Sequence, residues 1–342
     1  GASAWALAAK DMLKSRMTGQ VSTEPTEASL SFTDVVTQTY APEILTLIGV
    51  PDGQRLLAPV IDSVDIAGTL SASAGEQMGL IPGIPVAAGA HDVDCSAIGS
   101  GVVGPGVVSV VAGSFSINQV ISDEPTPGRE WYARNFIETG KWMNMSISPT
   151  SSANMEWFIQ QFCAADIAST EPGVDPLGFI EREIQATMTD PSEVVFTPFL
   201  FGSFKGAEQP ATFTGLQAWH NRGHVLRAIM EGVALGHQTH VAALRSAFDF
   251  DRVRLTGGAT KSPLWCQIFA DAFDLPVEVP NHEESGSWGA AALAAVAVGV
   301  FDDAASAVTA SVRVAREYWP AARGVERLRD SAWTNIALNT SL

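Results

Sequence analysis

The segment Leu255-Thr256-Gly257-Gly258-Ala259-Thr260-Lys261-Ser262-Pro263-Leu264-Trp265 sets two glycines and a hydroxyl between an apolar run and a helical pattern. Backbone without Cβ can approach a ligand closely, and the free N–H groups of a helix start favour an anion, so the segment suits a nucleotide. A plain strand-to-helix turn carries the same residues, and the segment alone does not choose between the two. A second segment, Gly83-Ile84-Pro85-Val86-Ala87-Ala88-Gly89-Ala90-His91-Asp92, ends an apolar run in Gly-x-His-Asp. A carboxylate at the C-terminal end of a strand, where α/β proteins hold their ligands, is a candidate general base. Asp92 equally reads as the N-cap of the helix that follows, with Asp94 favouring its first-turn dipole, and in isolation the cap is the simpler reading. The third segment is the turn Gly113-Ser114 between two β-rich runs. A tight turn presents successive N–H groups as an anion nest and the hydroxyl adds a donor, although most such turns are only hairpins.

These residues need strands ending where helices begin. Arg252–Thr256 reads as a buried strand, and the helix restarts at Pro263 with Leu264, Trp265, Ile268, Phe269, Ala272 and Phe273 on one face. Ser262 and Pro263 form an N-cap and first-turn pair. Strands are expected at Ile84–Ala90, Val107–Ala112, Phe115–Ile121 and Val194–Phe201. Helices are expected over residues 5–15, without a cap before them, and at Tyr40–Gly49, Ala153–Phe162 and Gly223–Phe248. The closing third alternates strand and helix, the pattern of an α/β layer structure. Glycine and proline concentrate in Gly99–Gly106, the best candidate for a domain boundary.

Several conspicuous residues invite blander readings. His237 and His240 lie one helical turn apart, but no carboxylate or cysteine stands at the spacing that completes a metal site, so they are expected as polar helix-face residues. Arg227 and Glu231 form an i,i+4 pair of local support. The Gly/Ala stripe at 286–298 suits close helix packing, and the tryptophans suit the core, with Trp265 and Trp288 near the nucleotide segment. The P-loop pattern is absent, since Thr260 rather than glycine precedes Lys261, and no Gly-x-Gly-x-x-Gly follows a strand.

A chain of 342 residues with 46% apolar and 17% charged residues suits two globular domains. A formal charge of −17 argues against nucleic acid or an anionic membrane as partner. Phosphate must then be held locally, by backbone N–H groups and a metal ion. Cys95, Cys163 and Cys266 are odd in number and widely spaced, which fits a reducing compartment. The run Trp5–Ala9 is broken by Lys10 and Asp11 and does not read as a signal peptide. The longest apolar stretch, Gly289–Phe301, falls short of the roughly 20 residues of a membrane span. A cytoplasmic protein is expected.

Taken together and in this order, the three segments resemble the FGGY family of carbohydrate kinases, over essentially the whole chain. Gly83–Asp92 looks like the family's strand ending in the catalytic aspartate, and Ala112-Gly113-Ser114 like its second phosphate turn, with serine where the family usually has threonine. Thr256-Gly257-Gly258-Ala259 with Lys261, Ser262 and Trp265 resembles the adenosine-binding turn and helix, and Glu283–Ala291 the small-residue helix behind it. Ser148–Phe158, and Phe199–Ser203 through Trp219-His220, look most like the L-xylulose kinase branch.

The resemblance implies an α/β, actin-like ATPase (ribonuclease H-like) fold of two domains with a cleft between them. Residues 1–102 would be the C-terminal part of the first, sugar-binding domain, and 103–342 the second, nucleotide-binding domain. The family's opening Asp-x-Gly-Thr turn has no counterpart, since Asp65-Ile66-Ala67-Gly68-Thr69 has the wrong spacing, so Gly1 is expected inside an incomplete first domain. The implied reaction transfers the γ-phosphate of ATP, with Mg²⁺, to a terminal hydroxyl of a ketopentose such as L-xylulose. Asp92 would be the base, flanked by His91 and Val93 at the sugar, although for His91 packing behind the site is favoured. Gly113, Ser114, Ser152 and Glu156 would lie at the phosphates, Gly257, Gly258 and Ala259 along the nucleotide, and Ser262 near its base. The alternatives are an erythritol- or glycerol-type polyol kinase and a truncated, inactive nucleotide-binding fragment. A homodimer is compatible with the family.

Overall fold

The computed structural model describes residues 5–170, 178–203 and 209–333. It divides into two compact units, neither continuous in sequence: Gly1–Pro105 with Val120–Asn144 and His282–Arg313, and Gly106–Gln119 with Met145–Asn281 and Val314–Leu342. Eleven strands occur among the described residues. In chain order they are β1 (Ile66–Thr69), β2 (Pro85–Ala87), β3 (Gly106–Ala112), β4 (Ser116–Ser122), β5 (Tyr132–Asn135), β6 (Trp142–Ser148), β7 (Val195–Thr197), β8 (Thr212–Thr214), β9 (Phe250–Thr256), β10 (Val277–Pro280) and β11 (Val314–Tyr318).

The first unit is organised around two helices, Asp92–Ser100 and Ser285–Ala297, drawn from widely separated parts of the chain. Their small residues explain how close they come. A Cβ at Gly99 would lie 1.8 Å from the Ser285 carbonyl oxygen, and one at Gly289 would lie 1.9 Å from that of Cys95. The helices therefore meet backbone to backbone, as the glycine and alanine stripe leads one to expect, with Ala97, Ile98 and Leu293 fully buried between elements. β1 and β2 pair antiparallel ahead of the first helix. β2 is shorter than the expected strand at 84–90, because Gly89 turns the chain with φ +75° into the helix entry. The helix Ala9–Thr18 begins at Ala8, which supplies no side-chain cap, and ends on Gly19 in the left-handed conformation.

In the second unit the sheet order is β11-β10-β9-β3-β4-β6. β3 runs parallel to β9 with Val110 opposite Leu255, and β9 runs parallel to β10. Val108, Val110, Val253 and Leu255 are wholly buried, as expected of parallel strands covered on both faces. The long helix Arg222–Arg245 starts in a capping box between Asn221 and His224. It packs beside Pro263–Phe273, whose Trp265, Phe269 and Phe273 form a buried aromatic row. Trp265 is core, its indole N–H donating to the Met230 carbonyl at 3.1 Å. The strand expected at 194–201 stops at Thr197, because Pro198 has no N–H to continue the ladder.

Candidate functional site

In the first unit, Asp92 opens the helix Asp92–Ser100 with its carboxylate 87% exposed. The capping reading is corrected here. The N-cap is His91, whose Nδ1 accepts from the Val93 N–H at 3.4 Å, so the Asp92 carboxylate is left free of that duty. Asp94 is also not a surface dipole partner. It is completely buried and ion-paired with Arg134 of β5. Burial pushes its carboxyl up to about 7 while the guanidinium pulls the other way.

The turn before the helix is pinned from beneath. Glu24 is fully buried and caps the short helix Pro25–Ala28, accepting from the Thr26 N–H at 2.8 Å and the Glu27 N–H at 3.0 Å. The Thr26 hydroxyl donates to Glu24 and accepts from the His91 N–H at 2.7 Å, which ties the Gly-x-His-Asp turn to this buried carboxylate. Lys10 reaches Asp11 at 2.8 Å, Glu24 at 3.4 Å and the Ala88 carbonyl at 3.2 Å. Burial pushes its ammonium down, but Glu24 and Asp11 more than offset this and hold it above its ordinary value. Burial raises the Glu27 carboxyl. Lys10, Glu27, His91, Asp92, Gly286 and Ser287 all line one cavity of about 590 Å³. An exposed carboxylate at its edge, beside a cation and an imidazole, can take a proton from a bound hydroxyl.

In the second unit the expected phosphate and nucleotide segments come together around the ends of β3 and β9. Gly113 and Ser114 form the β3–β4 turn. Its carbonyls face inward: Ser151 N–H donates to the Ser114 oxygen at 3.0 Å, and Ser152 donates to the Gly113 oxygen through both N–H (2.9 Å) and hydroxyl (2.6 Å). None of the N–H groups of Gly113, Ser114 and Phe115 donates to a described residue, and such a row of free donors suits an anion. Glu156 follows one helical turn after Ser152, its N–H on the Ser152 oxygen at 3.1 Å and its side chain exposed. Gly257 ends β9 at φ +92°, and a Cβ there would lie 2.7 Å from the Ala112 carbonyl. Only glycine lets the two turns sit this close. Gly258 is exposed, with open space where a Cβ would go, and Ala259 is buried. Ser262 caps the next helix, accepting from the Trp265 N–H at 3.2 Å, and its hydroxyl donates to Glu181.

Behind the Gly113-Ser114 turn lies a neutral network that the sequence did not disclose. His237 is buried rather than on a polar helix face. Its Nδ1 meets Asn118 Oδ1 at 2.8 Å and its Nε2 meets the Ser151 hydroxyl at 2.8 Å, while both Asn118 amide hydrogens go to Ser116 and the Ser146 carbonyl. His240, also buried, meets Ser146 at 2.8 Å. Burial depresses the two rings, to about 3 for His237 and about 4 for His240. Asn118 and Ser151 stand 119 and 86 residues from His237 in the chain, so no local pattern announces the cluster. Arg227 likewise does more than pair with Glu231 at 2.7 Å. It is buried and donates to the Thr187 carbonyl, while Arg327 shares the same Glu231 oxygen.

Comparison with known proteins bears on both halves. The N-terminal domain of the FGGY family of carbohydrate kinases matches residues 3–99, and the C-terminal domain of that family matches residues 108–298. The L-xylulose/3-keto-L-gulonate kinase of Escherichia coli K12 is 34% identical over 266 residues, 77% of this chain and 51% of that protein. A probable L-xylulose kinase of Haemophilus influenzae is 34% identical over 84% of this chain and 58% of its own length. The chain thus spans about half the length of the curated relatives it matches. The crystal structure of xylulose kinase from Rhodospirillum rubrum superposes with a TM-score of 0.81 at 26% identity, over 98% of this chain and 68% of that one. The fold is the α/β, actin-like ATPase (ribonuclease H-like) fold.

Proposed function

Since the chain belongs to the FGGY family of carbohydrate kinases, we propose that it provides the catalytic base and nucleotide grip of an ATP-dependent kinase acting on a ketopentose such as L-xylulose. The observation that carries this is Asp92, an exposed carboxylate on a cavity of about 590 Å³ and relieved of capping by His91. Asp92 accepts the proton of the terminal sugar hydroxyl as its oxygen attacks the γ-phosphorus. His91 and Val93 flank the sugar. Gly113 and Ser114 meet the phosphates through N–H and hydroxyl donors, with Ser152 bracing the turn and Glu156 beside it. Gly257, Gly258 and Ala259 present backbone to the nucleotide, and Ser262 fixes the start of the adjoining helix near its base.

Residues 1–102 then serve the sugar and 103–342 the nucleotide, apart from Arg134 and the Gly286-Ser287 edge of the Asp92 cavity, which belong with the first unit. Among the described residues no three His, Cys, Asp or Glu groups gather to hold a metal, so Mg²⁺ would ride chiefly on the nucleotide's phosphates. When bound it neutralises triphosphate charge, and the protein's own part is positioning and proton removal. L-xylulose is favoured among ketopentoses by the relatives so named, which are 34% identical.

The test is ADP release over a panel of pentuloses, pentitols, erythritol and glycerol, with wild type and Asp92→Asn compared. Turnover on L-xylulose that vanishes in Asp92→Asn, with ATP binding retained by calorimetry, supports the reading. Full turnover in the variant would remove Asp92 from the mechanism, and selective turnover of a polyol would move the substrate class.

A further inference from the structure

Arg134 belongs to no segment singled out in the sequence, yet it sits directly behind the proposed base. It lies on β5 with only 4% of its side chain exposed, and is ion-paired with the fully buried Asp94. The same Nη2 that meets Asp94 lies 3.3 Å from His91 Nδ1, and the Val93 N–H lies 3.4 Å from that same nitrogen. Neither a guanidinium nor a backbone N–H can accept a hydrogen bond. Two donors converging on Nδ1 therefore require that nitrogen to carry the lone pair, and the imidazole proton must sit on Nε2. Asp94 Oδ2, 3.8 Å from Nδ1, is beyond hydrogen-bond range and engaged by Arg134, which leaves Asp92 Oδ1, 3.2 Å from Nδ1, as the acceptor arguing for the other tautomer. Its side chain is 87% exposed and free to turn to water, whereas Arg134 is buried and held by Asp94. The buried donor wins. Nε2 has no partner among the described residues, and His91 lines the cavity beside Asp92.

We propose that Arg134 is a positioning residue: anchored by Asp94, it locks His91 as the neutral Nε2–H tautomer, so that the ring offers a bound ligand a hydrogen-bond donor. The ligand atom matched to it is an oxygen acceptor, a hydroxyl or keto oxygen of a sugar, and that consequence rests on the sugar-kinase reading. The tautomer itself does not. The charged groups facing the ring are Arg134 from β5, Asp92 and Asp94 from its own helix, Glu24, and Lys10 from the helix Ala9–Thr18. Burial first, and then the Arg134 charge, hold the imidazole below its ordinary value, which favours the neutral ring.

The experiment is long-range ¹H–¹⁵N correlation of the His91 ring in the full chain, without sugar or nucleotide, from pH 6 to 8. His91→Gln assigns the signals. Wild type is expected to show a protonated Nε2 and a bare Nδ1 wherever the ring is neutral. In Arg134→Met/Asp94→Asn, which removes both buried partners so that neither is stranded, a tautomer mixture and a higher pKa are expected. Arg134→Lys, which keeps a cationic donor, should return the ring toward the wild-type tautomer. A merely structural ion pair would leave the ring signals unmoved in a folded double variant, and that result overturns the proposal. A protonated Nδ1 in wild type overturns it outright, even if the double variant fails to fold. With the tautomer confirmed, loss of His91-dependent sugar binding in calorimetry of wild type against His91→Gln bears on the substrate. Confirmed tautomer and no sugar binding would count against the kinase reading alone.

Discussion

The two regions proposed to do the chemistry are built from opposite materials. Around Asp92 the first unit gathers full charges, Lys10, Asp11, Glu24, Asp94 and Arg134, most of them buried and paired. Around Gly113 and Ser114 the second unit uses backbone N–H groups backed by neutral hydroxyls, an amide and two uncharged imidazoles. A base and the hydroxyl it serves must be held in one geometry, and directed contacts from charged side chains suit that task. A polyphosphate brings its own charge and is gripped well by fixed dipoles, which need no carboxylate close by. The contrast teaches that function in the first unit depends on side chains, and in the second on where the main chain has been put.

That contrast can be broken by substitution. The largest effect is expected from Asp92→Asn, which should lower kcat by about 10²–10⁴-fold, the usual range for a general base, with ATP affinity unchanged. Ser114→Ala, measured in the same ADP-release assay, should cost no more than about tenfold, since the backbone donors remain and one neutral hydrogen bond is lost. Equal losses in the two variants would erase the distinction.

Stability measurements sharpen it. Gly289→Ala forces a Cβ to within 1.9 Å of the Cys95 carbonyl and should destabilise the first unit by about 1–3 kcal/mol in urea melts. Gly257→Ala combines a left-handed φ with contact against the Ala112 carbonyl at the phosphate turn. It should cost upward of about 1 kcal/mol, and lower nucleotide affinity as well.

The smallest effect is one of pH. His237 has a folded pKa of about 3 against an ordinary value of 6.5. Between those values the unfolded chain binds a proton the folded one refuses. Stability is therefore full above about 6.5 and falls as pH drops toward 3, with a slope of at most about 1.4 kcal/mol per pH unit from this ring. His237→Gln should flatten that slope between pH 7 and 5, read as the difference between melts of the two proteins. An unchanged slope would mean that the ring is not held neutral.

What the sequence disclosed and what it hid follow from distance along the chain. The start of the helix at Pro263 was legible because Ser262, Pro263 and Trp265 settle it among themselves. The β3–β4 turn and the helix at Ala153–Phe162 were legible for the same reason. The strand at 194–201 was read too long because its apolar run continues past Pro198 into residues that pack without pairing. Asp92 was ambiguous because a capping aspartate and a catalytic one look alike in sequence; the structure removes the cap, which His91 takes, and the base is the role proposed for it. Arg134 stands 40 residues from Asp94, in a segment with no other sign of function, and no spacing rule reaches that far.

One further consequence follows from how the first unit is threaded. Its two central helices, Asp92–Ser100 and Ser285–Ala297, come from widely separated parts of the chain and meet backbone to backbone. During synthesis the earlier helix leaves the ribosome long before its partner exists, and must wait with Cys95, Ala97 and Ile98 uncovered. Such late, long-range closure is slow and leaves apolar surface open to the wrong neighbours. The emergence of residue 313, rather than of residue 105, is the point at which the unit carrying Asp92 can first become a finished object.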